Sequence, residues 1–379
     1  MITRKFKDTD IELSQLGFGC MRFPTTDGNT KNIDKELSEK MLLEAIDKGV
    51  NYIDTAWPYH GGESEPFVGE FLQKHGLRDD IYLATKLPMW EINKHEDFDY
   101  FLNEQLKRLQ TDRIDFYLIH AIDQTKWDNA MKHDILDFVK RTKNTDKVRY
   151  LGFSFHDNLQ LFKELCDLEV FDFCQIQLNY MDTHFQAGVE GLKYAAEKGL
   201  PVIIMEPLKG GKLAFDRKDT LASIWNKHDL DMTPAELAFK YIYSFPEVTT
   251  VLSGMSAPEH VEQNLQYADQ YQAGCLTDQE CKLIEEIRQY LEEKTEIPCT
   301  SCQYCSDCPQ NIKIWDIFSL YNNAKIYDDL DSSIAAYGRI PEEFRADQCI
   351  ECGACEEACP QNIEIIDYLK KAHALFTAK

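Results

Sequence analysis

The sequence lacks any run of about 18 apolar residues, which is the length that a helix needs to cross a bilayer. Its first residues, Met-Ile-Thr-Arg-Lys-Phe-Lys-Asp, are mostly charged or polar and do not contain the apolar segment of a signal peptide. These two absences predict a soluble, cytoplasmic protein without a membrane partner.

Positive charge is scarce relative to negative charge. The 379 residues include 41 Lys and Arg but 65 Asp and Glu, so the formal net charge is −24. Because such a surface repels phosphate backbones and anionic lipids, we expect no nucleic-acid partner. Hydrophobic residues still make up 44% of the chain, and its length exceeds one ordinary domain. We therefore expect one large domain and one smaller domain.

The 13 cysteines are distributed unevenly. Eight lie in two compact blocks near the carboxyl end, which is typical of metal binding in a reducing compartment and not of a disulfide framework. The other five are expected to be small buried hydrophobic residues, and they are Cys20, Cys166, Cys174, Cys275 and Cys281.

Short strand-like runs alternate with helix-period segments over most of the chain, after a predicted polar hairpin at 3–13. The eight runs are 16–20, 50–53, 81–85, 114–119, 149–153, 171–177, 201–205 and 248–252. The helical segments are 37–48, 67–74, 98–109, 135–141, 159–168, 189–198, 235–245 and 259–268. Eight even β-then-α units predict a closed parallel (β/α)8 TIM barrel, since a doubly wound sheet rarely needs so many.

Four polar side chains stand where three of these strands end, and in such a barrel catalytic groups lie at the carboxyl ends of strands. Asp54 ends the second strand, Tyr59 follows in its loop, Lys86 ends the third strand and His120 ends the fourth. Taken singly, each has an ordinary explanation as a turn former, a packing residue, a surface charge or a core histidine. Their convergence at one mouth favours a catalytic role.

This set of side chains suits carbonyl reduction, in which an acid protonates the oxygen while hydride adds to the carbon. A phenol can serve if its pKa falls from about 10 toward neutrality, which costs roughly 4 kcal/mol. One exposed ion pair is worth at most about 1 kcal/mol, so Lys86 would have to act on Tyr59 in a partly dry pocket. Asp54 would keep the lysine charged, and His120 would orient the carbonyl oxygen.

Over residues 1–295 the sequence resembles the aldo-keto reductases, through the motifs Asp-Thr-Ala-x-x-Tyr, Ala-Thr-Lys and Ile-His that contain Asp54, Tyr59, Lys86 and His120. In that family these four residues are the catalytic tetrad, and the cofactor is NADP or NAD bound without a Rossmann domain. The resemblance implies an NAD(P)-dependent oxidoreductase that interconverts a carbonyl (aldehyde or ketone) and an alcohol. It also implies cofactor contacts at Gly19, Cys20, Met21, Ser154, Gln175, Met205, Gly210, Gly211, Lys212, Gly254, Ser256, Gln263 and Asn264.

The stretch Gly210-Gly211-Lys212 has two interpretations. It resembles the family's pyrophosphate loop, and glycines do let backbone N–H groups approach phosphate oxygens. The same glycines are also compatible with a simple turn.

Four positions depart from the family pattern. Met205 stands where many members have a tyrosine that stacks on the nicotinamide, and Phe155 replaces the asparagine usual after Ser154. His260 occupies the place of an arginine that binds the 2′-phosphate of NADP, and Gly254 matches a place that is often basic. Because a neutral imidazole is a weaker phosphate ligand than a guanidinium, the choice between NAD and NADP stays open.

The composition changes at 297–298, which places a predicted domain boundary between 1–295 and 296–379. Two cysteine blocks follow, with sulfur ligands expected from Cys299, Cys302, Cys305, Cys308, Cys349, Cys352, Cys355 and Cys359. The second block has the spacing of 4Fe–4S ferredoxins, in which three thiolates bind one cluster and the fourth binds the other. Two zinc sites are the alternative, although zinc sites usually separate their cysteine pairs by a dozen or more residues. We predict a small, mainly helical ferredoxin-type domain with two 4Fe–4S clusters.

Two functions remain open at this point. Hydride carries two electrons while each cluster takes one, and no flavin motif is present to split the pair. The first function is carbonyl–alcohol interconversion on a small molecule, with an attached iron–sulfur module whose role stays open between docking an electron-transfer protein partner, sensing redox state and scaffolding an assembly. The second is a redox-sensing or electron-carrier protein whose barrel does not turn over a substrate. The substrate is not readable, although Trp57, Trp90 and Trp127 are expected to wall an apolar site.

Overall fold

The computed structural model describes residues 1–7, 9–215, 221–299, 305–306, 308–359 and 361–378. The chain forms two compact units, Met1–Thr220 with Leu230–Glu280 and Leu221–Asp229 with Cys281–Lys379. The division near Glu280 falls inside a helix, Asp278–Glu293, whereas the composition change lies at 297–298. The domain boundary at 295/296 therefore stays a prediction.

The first unit contains a two-stranded hairpin and a closed barrel of eight parallel strands, which confirms the predicted (β/α)8 fold. The hairpin strands are β1 (Thr3–Lys5) and β2 (Glu12–Ser14). The barrel strands are β3 (Leu16–Gly19), β4 (Tyr52–Asp54), β5 (Tyr82–Leu87), β6 (Ile114–Ile122), β7 (Val148–Phe155), β8 (Cys174–Gln177), β9 (Val202–Met205) and β10 (Val248–Ser253). Each predicted run overlaps one of these strands.

Helices follow the barrel strands along the chain, and each buries apolar residues on one face. They are α1 (Lys35–Asp47), α2 (Ser64–His75), α3 (Glu96–Arg108), α4 (Gln124–Lys132), α5 (Ile135–Thr142), α6 (Leu159–Asp167), α7 (Gly188–Glu197), α8 (Ala222–Trp225), α9 (Pro234–Tyr243) and α10 (Pro258–Gln270). The helical pattern did not predict α4 or the short α8, which lies in the second unit. The α4 helix begins after Asp123, whose carboxylate accepts a hydrogen bond from Lys126 N at 2.8 Å and so satisfies a free helix donor.

The hairpin closes the amino-terminal end of the barrel. Phe6, at the end of β1, is fully buried and lies 5.0 Å edge-on from the ring of Phe116 near the start of β6. Arg4 in β1 donates to the carbonyl oxygens of Tyr243 and Phe245, each at 2.7 Å. Because this end is filled, the carboxyl ends of the strands are the end of the barrel at which a site can form.

The second unit is mainly helical, as predicted. Besides α8 and part of α11 (Asp278–Glu293) it contains α12 (Ile314–Ile326), α13 (Leu330–Arg339), α14 (Ala354–Glu357) and α15 (Ile365–Thr377). Its apolar core includes Ile297, Phe318 and Leu369, with five of the cluster cysteines packed at its edge. In the part of the chain that the structure describes, no helix combines the length and apolar composition needed to cross a membrane.

Candidate active site and cluster ligands

A buried lysine links two of the predicted catalytic residues. Lys86 Nζ donates to Asp54 Oδ1 at 2.6 Å, to the backbone oxygen of Thr55 at 2.9 Å and to Tyr59 Oη at 3.4 Å. Lys86 is fully buried and Asp54 nearly so, whereas Tyr59 is only half-buried and faces the mouth. The adjacency of β4 and β5 in the barrel brings these side chains together.

The charges of this cluster follow from burial and proximity. Asp54 and Tyr59 raise the pKa of Lys86 above its ordinary value although burial opposes them, so the ammonium stays charged. Burial raises the pKa of Tyr59 above 10, and the nearby Lys86 offsets this rise only in part. This corrects the expectation of a lowered phenol pKa, because loss of hydration outweighs one attractive cation. Tyr59 is therefore protonated at neutral pH, which is the form that can act as an acid.

His120 occupies an irregular position at the end of β6. The register between β6 and β7 shifts between Ile119 and Ile122, and Ala121 has a left-handed backbone with φ of 51°. Such bulges re-aim side chains and are common beside active sites. The imidazole of His120 lies 6.2 Å from the ring of Tyr59, and its Nδ1 has no hydrogen-bond partner within the described residues. Burial and Lys86 hold the pKa of His120 well below 6.5, so the ring is neutral.

Three predicted cofactor contacts lie side by side on β7, β8 and β9. Ser154 and Gln175 are register partners, and Ser154 Oγ accepts a hydrogen bond from Ala121 N at 2.7 Å. Gln175 Nε2 donates to Met205 Sδ at 3.3 Å, while Gln175 Oε1 is buried and unpaired in the described chain. A buried acceptor beside a free hydroxyl proton fits a carboxamide such as that of nicotinamide.

The remaining predicted cofactor contacts also lie at or beyond the strand ends, and their roles stay predictions. Gly19 is the last residue of β3, and it is followed by Cys20, which is fully buried, and Met21, which is 54% exposed. After β9, Gly210 and Gly211 have φ values of 68° and 95°, so both adopt the left-handed backbone that glycine tolerates, and Lys212 follows. After β10 the contacts are exposed Gly254, Ser256 and Gln263 and the buried Asn264, whose Nδ2 donates to Ser253 Oγ at 2.9 Å.

Cysteines from both blocks surround one small cavity in the second unit. Its lining includes Cys308 from the first block and Cys349, Cys352 and Cys355 from the second. This arrangement agrees with the crossed ligation of two-cluster ferredoxins. Burial, helped by the charge of Glu356, raises the pKa of Cys355 to about 11, which cationic iron would offset. Among the described residues no group of three or more His, Cys, Asp or Glu side chains is placed to hold a metal ion.

The other predicted cluster ligands are only partly described. Cys299, Cys305 and Cys359 are half-buried beside the core of the second unit. Cys302 lies outside the described residues. The second cluster and its ligands therefore stay predictions.

Comparison with protein families covers most of the chain. The model of the aldo/keto reductase family matches residues 15–289. The chain belongs to the aldo/keto reductase family. A 4Fe–4S dicluster domain matches residues 298–364 of the same chain. This aldo/keto reductase therefore carries an iron–sulfur domain after its barrel.

Several oxidoreductases resemble this aldo/keto reductase over about three quarters of its length. The uncharacterized oxidoreductase YqkF of Bacillus subtilis is 27% identical over 314 residues, which cover 75% of this chain and 96% of YqkF. The NADH-specific methylglyoxal reductase of Escherichia coli is 25% identical over a match that covers 75% of this chain and 97% of that protein. The holo form of aldo-keto reductase AKR11C1 from Bacillus halodurans superposes with a TM-score of 0.63 and 26% identity, covering 76% of this chain and 96% of that one. About three quarters of this chain therefore covers each of these relatives almost end to end.

Of the three tryptophans expected at the mouth, Trp90 alone is exposed beside His120, with ring centroids 5.3 Å apart. Trp127 lies on the inner face of α4 against Phe171 and belongs to the core. Trp57 packs edge-on against Phe101 at 5.0 Å. The expectation was wrong for Trp127, because the helix that buries it was not predicted.

The sequence reasoning missed a buried polar network behind Lys86, centred on Glu65. A signal was present, because Glu65 shares the apolar face of α2 with Val68 and Leu72 at helical spacing, and all three are buried.

Proposed function

We propose that this protein is an NAD(P)H-dependent oxidoreductase that interconverts a small-molecule carbonyl (an aldehyde or ketone) and the corresponding alcohol. The observation that carries the proposal is the dry contact of Lys86 with both Asp54 and Tyr59, at 2.6 Å and 3.4 Å. A proton donor at the mouth of a barrel needs its conjugate base stabilised. A buried ammonium that contacts the phenol provides this stabilisation, whereas a lysine on the surface does not.

Each member of the tetrad has one task in this proposal. Gln175 and Ser154 would hold the carboxamide of a nicotinamide dinucleotide, which when bound would supply the hydride for reduction and accept it for oxidation. Tyr59 donates its phenolic proton to the carbonyl oxygen, and Lys86 stabilises the phenolate that remains. Asp54 keeps Lys86 charged and aimed at the phenol. The neutral imidazole of His120 donates a hydrogen bond that holds the carbonyl oxygen between it and Tyr59.

The substrate side of the mouth is apolar. The exposed ring of Trp90 flanks His120, and Met21 is exposed beyond β3. Aromatic surfaces of this kind favour a carbonyl compound with an apolar or aromatic body. The net charge of −24 and the thiol ligands support a cytoplasmic location in which thiols stay reduced.

We further propose two 4Fe–4S clusters, one ligated by Cys349, Cys352, Cys355 and Cys308, and the other by Cys299, Cys302, Cys305 and Cys359. Each cluster exchanges single electrons, so it serves an electron-transfer protein partner more readily than a hydride step. Cys352 is exposed, which supports exchange at the surface. This observation favours a second candidate function, a redox-sensing or electron-carrier protein with an inactive barrel.

The two functions are separated by Tyr59→Phe in protein with intact clusters. We expect the wild type to reduce 4-nitrobenzaldehyde with NADPH or NADH, and Tyr59→Phe to lose about 10²- to 10⁴-fold in kcat with unchanged cluster absorbance. Tyr194→Phe removes a hydroxyl that bonds to Asp167 on the surface, and it should match the wild type. Turnover that requires dithionite or reduced ferredoxin, or equal activity in Tyr59→Phe, would refute the hydride mechanism.

A further inference from the structure

A fully buried carboxylate lies between β5 and the helices α2 and α3. Thr85 Oγ1 and Gln105 Nε2 each donate to Glu65 Oε1 at 2.6 Å, and Arg108 donates to Glu65 Oε2 at 3.3 Å. A buried charge is costly unless it is paired and hydrogen-bonded, and Glu65 meets both conditions. Glu65 contacts Thr85 on β5, next to Lys86, and it follows the turn that contains Tyr59.

We propose that Glu65 is a positioning residue that holds the backbone of Lys86 and the loop of Tyr59 in fixed relation. The inference rests on the proposed function, because it assigns Glu65 a task in the same proton transfer. Glu65 does not touch the substrate or the cofactor in this proposal. It acts through two chains of contacts, one to each catalytic residue.

The first chain runs through Gln105 to Lys86. Gln105 Nε2 donates both to Glu65 and to the backbone oxygen of Lys86, the latter at 3.0 Å. Tyr117 Oη donates to Gln105 Oε1 at 2.8 Å, which leaves the amide one orientation. The carboxylate therefore fixes the point on β5 from which the lysine side chain enters the mouth.

The second chain runs through Arg108 to the catalytic loop. The guanidinium carbon of Arg108 lies 3.2 Å from the ring centroid of Trp57, two residues before Tyr59. This contact is a close stacking of guanidinium on indole, and it is sensitive to where the arginine is held. Glu65 is the second residue of α2, which begins shortly after the turn that contains Tyr59, so both ends of this loop are tied to the same carboxylate.

The change Glu65→Gln tests the role of the charge with little change of volume. Its carbonyl can still accept from Thr85, but its NH2 group would point toward the NH groups of Arg108, so donor would face donor. The guanidinium should then leave Trp57. A displacement of about 1 Å at reacting groups can cost about a hundredfold in rate, so we expect kcat to fall about ten- to a hundredfold.

The test compares Glu65→Gln and Arg108→Met with a matched control, Arg113→Met. Arg113 is also half-exposed and pairs with a buried carboxylate, Asp115 at 3.2 Å, but near the amino-terminal end of β6. We measure reduction of 4-nitrobenzaldehyde, oxidation of 4-nitrobenzyl alcohol against pH, nucleotide dissociation constants and thermal unfolding. Both test variants should lower kcat at nearly constant KM and nucleotide affinity, whereas Arg113→Met should affect only thermal unfolding.

The pH profile separates positioning from a merely structural role. Burial raises the pKa of Tyr59, and the charge of Lys86 opposes that rise. A looser contact between the two side chains should therefore shift the pH at which the rate of alcohol oxidation rises upward, by about half a unit or more. The inference would be overturned if both test variants kept the wild-type kcat and the wild-type pH profile of alcohol oxidation and showed only a lower unfolding temperature. The proposed function would still stand. If Glu65→Gln does not fold, Arg108→Met decides, since its side chain is partly exposed. An inactive wild type overturns the proposed function and this inference with it.

Discussion

Replacing Lys86 by methionine should separate the stability of the active site from its catalysis. The ion pair is dry, with 1% of the Lys86 side chain and 4% of the Asp54 side chain exposed. Removing one partner of such a pair strands the other charge and costs about 3–5 kcal/mol of folding free energy. Lys86→Met, Asp54→Asn removes both charges, so most of that stability should return. Asparagine keeps the volume and still offers an acceptor.

Activity should behave differently from stability in these variants. A hydrogen bond from a charged donor is worth about 1.5–3 kcal/mol, so losing the contact with Tyr59 should lower kcat about ten- to a hundred-and-fifty-fold. The double variant should remain as inactive as Lys86→Met. We would measure barrel unfolding by tryptophan fluorescence in urea, and kcat with 4-nitrobenzaldehyde.

The stability deficit of Lys86→Met should also depend on pH. Burial raises the pKa of Asp54, and without Lys86 nothing of comparable size offsets that rise. The folded variant then binds a proton more tightly than the unfolded chain, so its stability rises as pH falls and the deficit narrows in acid. The reasoning is refuted if the double variant is no more stable than Lys86→Met, or if Lys86→Met keeps the wild-type kcat.

Four further outcomes are expected. Because burial raises the pKa of Tyr59 above its ordinary value, initial rates of carbonyl reduction should stay level through neutral and moderately alkaline pH, while rates of alcohol oxidation should rise over the same range. His260→Arg should increase the preference for NADPH over NADH about ten- to a hundredfold in dissociation constants, because a guanidinium binds the 2′-phosphate more strongly than a neutral imidazole. Arg4→Met should lower the free energy of unfolding by about 3–5 kcal/mol without changing kcat, since it leaves buried backbone carbonyls unpaired. Cys308→Ser should reduce the iron content by about half and leave carbonyl reduction intact, and full iron content would contradict the crossed ligation.

Much of the fold was predictable because its signals are local. Eight apolar runs separated by helix-period segments are a property of neighbouring residues, and each overlaps a strand of the barrel. The exceptions have local causes as well. The α4 helix is short and polar on one side, so its few apolar residues do not repeat at a clear helical spacing. Without that helix, Trp127 was expected at the mouth and not in the core. The bulge at Ala121 needs a left-handed backbone that alanine does not signal.

The candidate site was predictable only as a set of residues. The sequence pointed to Asp54, Tyr59 and Lys86 because each lies at or just after the end of a strand. In a parallel barrel the carboxyl ends of the strands meet at one mouth. The direction in which the pKa of Tyr59 moves was not predictable, because it depends on the balance of burial and a cation. The role of Glu65 was hidden for a related reason, since its partners come from β5 and α3.

The sequence by itself determined the alternation of strands and helices, the residues at the strand ends and the spacing of the cysteine blocks. These features are read along the chain, where periodicity and spacing are visible. Only the tertiary structure decided which charged groups are buried from solvent, which side chains donate hydrogen bonds to Glu65 and which cysteines line one cavity. Burial and ion pairing depend on residues that are distant in sequence, and folding alone brings those residues into contact.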